Sequence, residues 1–231
     1  MHDRLAPHQI HVAVDLLIAT VYEGRLRLLL ARRPQEPYRG CWALPGRLMT
    51  MEESAHTAAR ELLEEMLPVK NVYMEQLYTF TRANRDPRGR VISIAYLAAV
   101  PWPELKECLE QPDARLQPFT VSFEGEKVTL SALEEDQTAF DHWEIITTGI
   151  RRLQGKITYT ELAFHFLERP QAFSLSEMQM IFEAVLGEKM DKSNFRRSIL
   201  ARYEAAGRIR QTEDIHKKGR GRPAALYRWQ P

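Results

Sequence analysis

Residues 46–65, GRLMTMEESAHTAARELLEE, set carboxylates at fixed intervals behind a glycine. Gly46, Glu52, Arg60, Glu61, Glu64 and Glu65 follow the pattern G-x5-E-x7-R-E-L-x-E-E. At about 100° per residue, Glu61, Glu64 and Glu65 share one arc of a helix. Thr50 and Glu53 read as a T-x-x-E capping box, which predicts a helix start near Met51. Ala55, Ala59, Leu62 and Met66 fall on a neighbouring arc suited to packing on a sheet. Three carboxylates on one arc repel each other, and a hard divalent cation, Mg²⁺ or Mn²⁺, relieves that repulsion through oxygen ligation. Such an ion can hold a diphosphate and polarise an attacking water. Glu61, Glu64 and Glu65 are therefore the candidate metal-ligating and catalytic residues. Arg60 is expected to pair with Glu52 and orient the loop between them. The plainer alternative is a solvated acidic helix face.

The elements that must position these groups can be read on either side. Residues 9–20 and 25–32 are apolar and predict strands joined by a turn at 21–24; residues 71–80 and 90–100 predict two more. Between the second pair lies the turn-rich loop 84–90, whose Arg85, Arg88 and Arg90 can clamp phosphate and are the candidate ligand-binding residues. Residues 101–130 read as irregular, interrupted by four prolines, with a hairpin around Glu124-Gly125. Residues 138–153 predict a helix with Phe140, Trp143, Ile146, Ile150 and Leu153 on one stripe, and His142 is read as structural. This helix closes a first domain, 1–152, and leads into a second, 153–231.

Charge separates the two domains. Residues 1–151 carry 17 basic and 22 acidic side chains, a net of −5; residues 152–231 carry 15 and 9, a net of +6. The basic half suggests a nucleic-acid partner. Ser174-Leu175-Ser176-Glu177 starts a helix striped with Met178, Ile181, Phe182 and Val185, followed by a turn at Gly187. Asp191 caps the next helix, where Phe195, Ile199 and Tyr203 face inward and Lys192, Asn194, Arg196 and Arg197 face out. Strands at 208–212 and 224–229 flank a basic loop with Lys217, Lys218, Arg220 and Arg222. Helix, turn, basic helix and basic hairpin make a winged helix-turn-helix, in which these eight residues are the candidate DNA contacts. The plainer alternative is a helical protein-binding domain with a basic tail.

Cys41 and Cys108 are the only cysteines, so the chain does not need a disulfide framework and cysteine-based zinc sites are excluded by count. No stretch approaches a membrane span, the N-terminus lacks a signal-peptide layout, and a cytoplasmic protein is expected.

The acidic pattern, together with the approach Trp42-Ala43-Leu44-Pro45-Gly46, resembles the Nudix box, the metal and diphosphate site of the Nudix family. That resemblance implies a mixed-sheet α/β/α sandwich and a site that cleaves, or only binds, nucleoside diphosphates linked to another moiety. The family's pattern continues into a glycine where this chain has Leu67 followed by Pro68. A leucine resists the left-handed conformation that glycine supplies, so the helix must end by another route. Taken with AFDH at 139–142, FRR at 195–197 and GRPAALY at 221–227, the whole chain resembles the Nudix-related transcriptional regulator family. The resemblance implies an α+β protein, a Nudix domain followed by a winged helix. It also implies a homodimer that represses NAD-cofactor or sugar-use genes from a palindromic operator in double-stranded DNA, with ADP-ribose or a related nucleotide as effector. A plain Mg²⁺-dependent ADP-ribose pyrophosphatase, or a bifunctional protein, is the rival expectation.

Overall fold

A long apolar strand with both faces buried organises the molecule. The computed structural model describes residues 9–67, 69, 72–111, 115–216 and 224–231. Strand β1 (Ile10–Tyr22) alternates with period two: Val14, Leu16 and Ile18 face one core, Leu17, Ala19 and Val21 the other. β2 (Arg25–Arg32) returns antiparallel to it through Glu23-Gly24. The short strands β3 (Trp42–Ala43) and β4 (Gly46–Leu48) pair with β2 and β1 respectively. Helix α1 (Ala55–Met66) follows, buried along Ala58, Ala59, Leu62 and Leu63.

β5 (Tyr73–Phe80) and β6 (Arg90–Ala99) form the next hairpin, and β6 runs parallel to β1. Helix α2 (Trp102–Leu109) occupies a segment expected to be irregular. Its prolines sit at and just inside the helix start, where the missing N–H costs nothing. β7 (Leu116–Glu124) and β8 (Lys127–Leu130) complete a mixed sheet in the order β5-β6-β1-β2-β7-β8. Packing of α1 and α2 on one face and α3 (His142–Ile157) on the other gives the α/β/α sandwich. No helix among the described residues is long and apolar enough to cross a membrane.

α3 runs without a break through the expected domain limit at 152/153. A short turn of helix (Leu162–Phe166) and strand β9 (Phe173–Ser174) lead into α4 (Leu175–Leu186). Ser174 and Glu177 cap α4 reciprocally, the Glu177 N–H donating to Ser174 Oγ at 3.2 Å and the Ser174 N–H to Glu177 Oε2 at 2.7 Å. Asp191 caps α5 (Lys192–Ile199) through the Asn194 N–H at 2.8 Å. β10 (Ile209–His216) and β11 (Ala224–Trp229) form the wing, and β9 pairs with β11 to make a three-stranded sheet. Phe195, Ile199 and Tyr203 are buried, leaving the basic side of α5 outside.

One core is common to both halves. Leu26, Leu28 and Phe119 of the first sheet belong to the same buried cluster as Ile181, Phe182 and Phe195 of the winged helix. The joint is tight at Gly187, which ends α4 at φ 78°: a Cβ there would lie 2.3 Å from the Phe123 ring of β7. Gly187→Ala therefore meets both a left-handed backbone and a filled space, and should cost about 2 kcal/mol or more in urea unfolding. A loss below about 0.5 kcal/mol would show that Phe123 swings aside and the joint is loose.

Candidate functional site

The predicted helix start is corrected by the structure. α1 begins at Ala55, with Ser54 as its cap accepting from the Thr57 N–H at 3.1 Å. Glu53 does accept from the Thr50 N–H at 2.6 Å, but this closes a turn ahead of the helix. The Glu53 carboxylate has a second partner besides the Thr50 amide. The Arg47 guanidinium meets both Glu53 oxygens at 2.6 Å and reaches Glu61 at 3.1 Å. These bonds to Arg47, and then the Thr50 amide, pull the Glu53 carboxyl down to about pKa 2.

The expected Arg60–Glu52 pair does not form. Both side chains are exposed, no ion pair joins them, and Arg47–Glu53 braces the loop in their place. Glu61, Glu64 and Glu65 lie on the solvent side of α1, opposite its buried alanines and leucines. Among the described residues no three His, Cys, Asp or Glu side chains converge as a metal-binding group. Of the three candidates, Glu61 is bonded to the Arg47 guanidinium. The box carboxylates as arranged therefore do not fit a divalent cation.

Gly46 is required by position. β4 pairs Gly46 with Asp15 of β1, and a Cβ would fall 2.1 Å from Asp15 Oδ1 and 3.0 Å from the Val14 carbonyl. Asp15 is a carboxylate in the middle of an apolar strand, and it is buried. Ser93 of β6 donates to its Oδ2. Arg85 reaches the same oxygen at 3.3 Å and grips Asp141 with two bonds, Nε to Oδ2 at 2.9 Å and Nη2 to Oδ1 at 2.6 Å. Burial works against the Arg85 charge, but the bond to Asp141 and the two aspartate charges outweigh it and raise its pKa. His142, the first residue of α3, accepts from the Leu44 N–H through Nδ1 at 2.9 Å, with Nε2 3.6 Å from Asp15 Oδ1. Burial lowers its pKa, so the ring is neutral with its proton on Nε2.

This network moves Arg85 from the surface to the interior: its side chain is 4% exposed and both aspartates hold it. Arg90 spends a donor on the Thr81 carbonyl at 2.8 Å. Arg88 is bonded to Asp86 at 2.7 Å, and its guanidinium carbon lies 5.6 Å from the centre of the Phe140 ring. Arg33, which the sequence did not single out, approaches the same ring to 4.6 Å. Burial, then the nearby Arg88 charge, lowers the Arg33 pKa. Two guanidiniums that share one aromatic ring, one of them without a carboxylate ion pair among the described residues, suit a bound anion with a flat group. Phe140 stands at φ 56°, a conformation a bulky residue adopts only under constraint, immediately before Asp141. Phe140 and Asp141 also line a cleft of about 710 Å³ with Arg82, Trp143 and Arg151.

In the second half, Lys192, Asn194, Arg196 and Arg197 are exposed on α5, and Arg197 donates to Asn194 Oδ1 at 2.9 Å. Lys192 and Arg196 line a groove of about 490 Å³ against the start of α4 and β11. Lys217, Lys218, Arg220 and Arg222 lie outside the described residues. α3 ties this half to the sheet. Arg152 donates to the Leu77 carbonyl at 3.0 Å and Lys156 pairs with Glu75, both on β5. Glu75 also accepts from Tyr73, whose ring lies tilted against His165, which in turn meets Trp229 of β11.

Arg85→Met leaves Asp15 and Asp141 as unpaired buried carboxylates and should cost about 3–5 kcal/mol by urea unfolding. A loss under about 1 kcal/mol would mean that water reaches the pair. For His142 the depressed folded pKa gives stability that is full above the unfolded histidine value, about 6.5, and is lost as pH falls below it. The stability gap between wild type and His142→Gln should narrow from pH 8 to pH 5.5. A gap that ignores pH removes His142 from that linkage.

Comparison with known proteins finds two family models on separate parts of the chain. Residues 10–146 match the NUDIX domain model and residues 163–229 match the NrtR DNA-binding winged helix domain. The chain is 31% identical over 221 residues to the "ADPR responsive transcriptional repressor NtrR" of Acinetobacter baylyi, covering 94% of this chain and 81% of that one. It is 35% identical over 145 residues to an ADP-ribose pyrophosphatase of Methanocaldococcus jannaschii, covering 62% of this chain and 75% of the relative. The structure of Shewanella oneidensis NrtR complexed with a 27mer DNA superposes with a TM-score of 0.75 at 26% identity, covering 95% of this chain and 93% of that one. The chain belongs to the Nudix family, in the NrtR-type group that joins a NUDIX domain to a DNA-binding winged helix.

Proposed function

We propose that this chain is a transcriptional repressor whose hold on double-stranded DNA is released by ADP-ribose, or a closely related nucleotide, bound in the Nudix domain. The observation that carries this is α3. Its N-terminal residue His142, the preceding Asp141 and their buried partners sit under the Arg33–Phe140–Arg88 cluster, and its C-terminal half packs in the core shared with the winged helix. The Acinetobacter relative supports the effector and the Shewanella complex supports the DNA. On this reading residues 1–152 sense, residues 153–231 bind DNA, and α3 belongs to both.

The effector's diphosphate lies against Arg33 and Arg88, with Phe140 as platform and Arg90 at the rim. Lys192, Asn194, Arg196 and Arg197 meet DNA from α5, and the wing residues Lys217, Lys218, Arg220 and Arg222 flank it. A homodimer places two such helices on a palindromic operator, and NAD-cofactor or sugar-use genes are the expected targets. Because Glu61 is engaged by Arg47 and Glu64 and Glu65 do not converge with it, no hydrolytic step through Mg²⁺ or Mn²⁺ is assigned. The ligand releases DNA only to the extent that it binds one arrangement of the two domains better than the other.

The test is a mobility shift on the DNA upstream of the chain's own gene, with and without ADP-ribose. Arg196→Ala/Arg197→Ala should weaken binding about tenfold or more and lower the salt slope by about two. Arg33→Ala should keep DNA binding but require about tenfold more ADP-ribose for release. A shift unaffected by ADP-ribose, or by loss of both arginines, overturns the corresponding half of the assignment.

A further inference from the structure

We infer that Arg47 is the resident cation of the acidic box, occupying with its guanidinium the electrostatic place that a divalent metal would take. Arg47 lies on β4, held in register opposite Val14 of β1, so its backbone is fixed by the central sheet. Its fork matches Glu53 bidentately, both bonds at 2.6 Å, and the same Nη2 reaches Glu61 at 3.1 Å. Arg47 and Glu53 are mostly covered, at 24% and 10% exposure, while Glu61 is half open at 52%. The Thr50 amide adds a third bond to the Glu53 carboxylate.

A guanidinium carries its charge at every accessible pH, and its planar donors satisfy a carboxylate pair in a fixed geometry. A hard cation needs about six oxygen ligands. To recruit Glu61 it must displace a charge-assisted bond, and to recruit Glu53 it must break two that are braced from the backbone. The box of this chain therefore carries a fixed positive charge between Glu53 and Glu61, where a bound ion would otherwise stand, while Glu64 and Glu65 stay open to solvent.

Mn²⁺ alone is the probe, so the test does not depend on the regulator reading. Bound Mn²⁺ is measured on the full chain by electron paramagnetic resonance. Arg47→Gln should bind Mn²⁺ about tenfold more tightly than wild type or better, and adding Glu61→Gln should remove the gain. Because Arg47→Gln can loosen the loop at 49–54, circular dichroism compares its helix content with wild type, and Arg47→Lys supplies a second arm. The lysine keeps a cation beside Glu61 and should keep the weak wild-type affinity. Equal Mn²⁺ affinity in wild type and Arg47→Gln, a gain that survives Glu61→Gln, or tight binding by Arg47→Lys each overturns the inference.

Discussion

A guanidinium buried between two aspartates is the constraint on which the rest of this molecule depends. Arg85 cannot leave Asp15 and Asp141 without stranding charges in the interior, so the three segments that carry them have one mutual placement. Asp15 lies mid-strand in β1, Arg85 in the loop before β6, and Asp141 at the start of α3. His142 adds a fourth segment by accepting from Leu44, which fixes the approach to Gly46. A core of leucines alone would tolerate a range of helix positions, whereas directional bonds to a planar cation do not. The network therefore sets where α3 begins, and with it where Phe140 and the neighbouring arginines stand.

That placement propagates because α3 is not the end of a domain. Its apolar stripe, Ile145, Ile146, Ile150, Leu153 and Ile157, enters the cluster that also holds Phe164, Phe182 and Phe195. Beyond the helix, Tyr203 donates to the Thr160 carbonyl at 2.6 Å and Arg208 pairs with Glu161 at 2.9 Å, so the segment after α3 is bound to the winged helix itself. Phe123 against Gly187 makes a second joint, at the C-terminal end of α4. Packed cores shift between discrete arrangements and do not deform continuously. A ligand that alters the packing of Phe140 acts on a rigid helix whose far end is already inside the DNA-binding half.

Much of this was legible in the sequence where one rule dominated. The α4 and α5 caps at Ser174 and Asp191, the inward Phe195, Ile199 and Tyr203, and the turn at Gly187 all followed from local signals that agree with one another. Misreadings arose where two signals competed. Thr50 and Glu53 have capping-box spacing and do form the Thr50 N–H bond, yet this pair closes a turn and Ser54, four residues on from Thr50, caps α1 with equally good cap chemistry. Pro101 and Pro103 suggested an irregular segment because proline breaks helix interiors, but at a helix start it is tolerated. Arg85, Arg88 and Arg90 look alike in one loop, and only tertiary structure separates the buried one from the others. Asp15 did carry a signal: a charged residue inside VAVDLLIA needs a buried partner, and a search for that partner leads to Arg85.

The departure from the family pattern at Leu67 bears on where the box is altered. Leu67 closes α1 with an extended backbone, φ −142° and ψ 136°, its N–H donating to the Leu63 carbonyl. It is 1% exposed, and it packs with Val69 and Leu105 in the core beneath the helix. An extended conformation suits leucine, so the helix ends by burial where the family pattern ends it with a left-handed glycine. Nothing at this end turns α1: Ala58, Ala59, Leu62 and Leu63 still seat it on the sheet, and Glu61, Glu64 and Glu65 still point outward. The change in the box therefore lies at the other end. Between Gly46 and Ser54 the chain uses Arg47 and Glu53 to brace a loop that the pattern would assign to Arg60 and Glu52, and the same arginine reaches across to Glu61. The acidic helix is thus kept in place on the sheet, with Glu61 met by a guanidinium from the loop and Glu64 and Glu65 left to solvent.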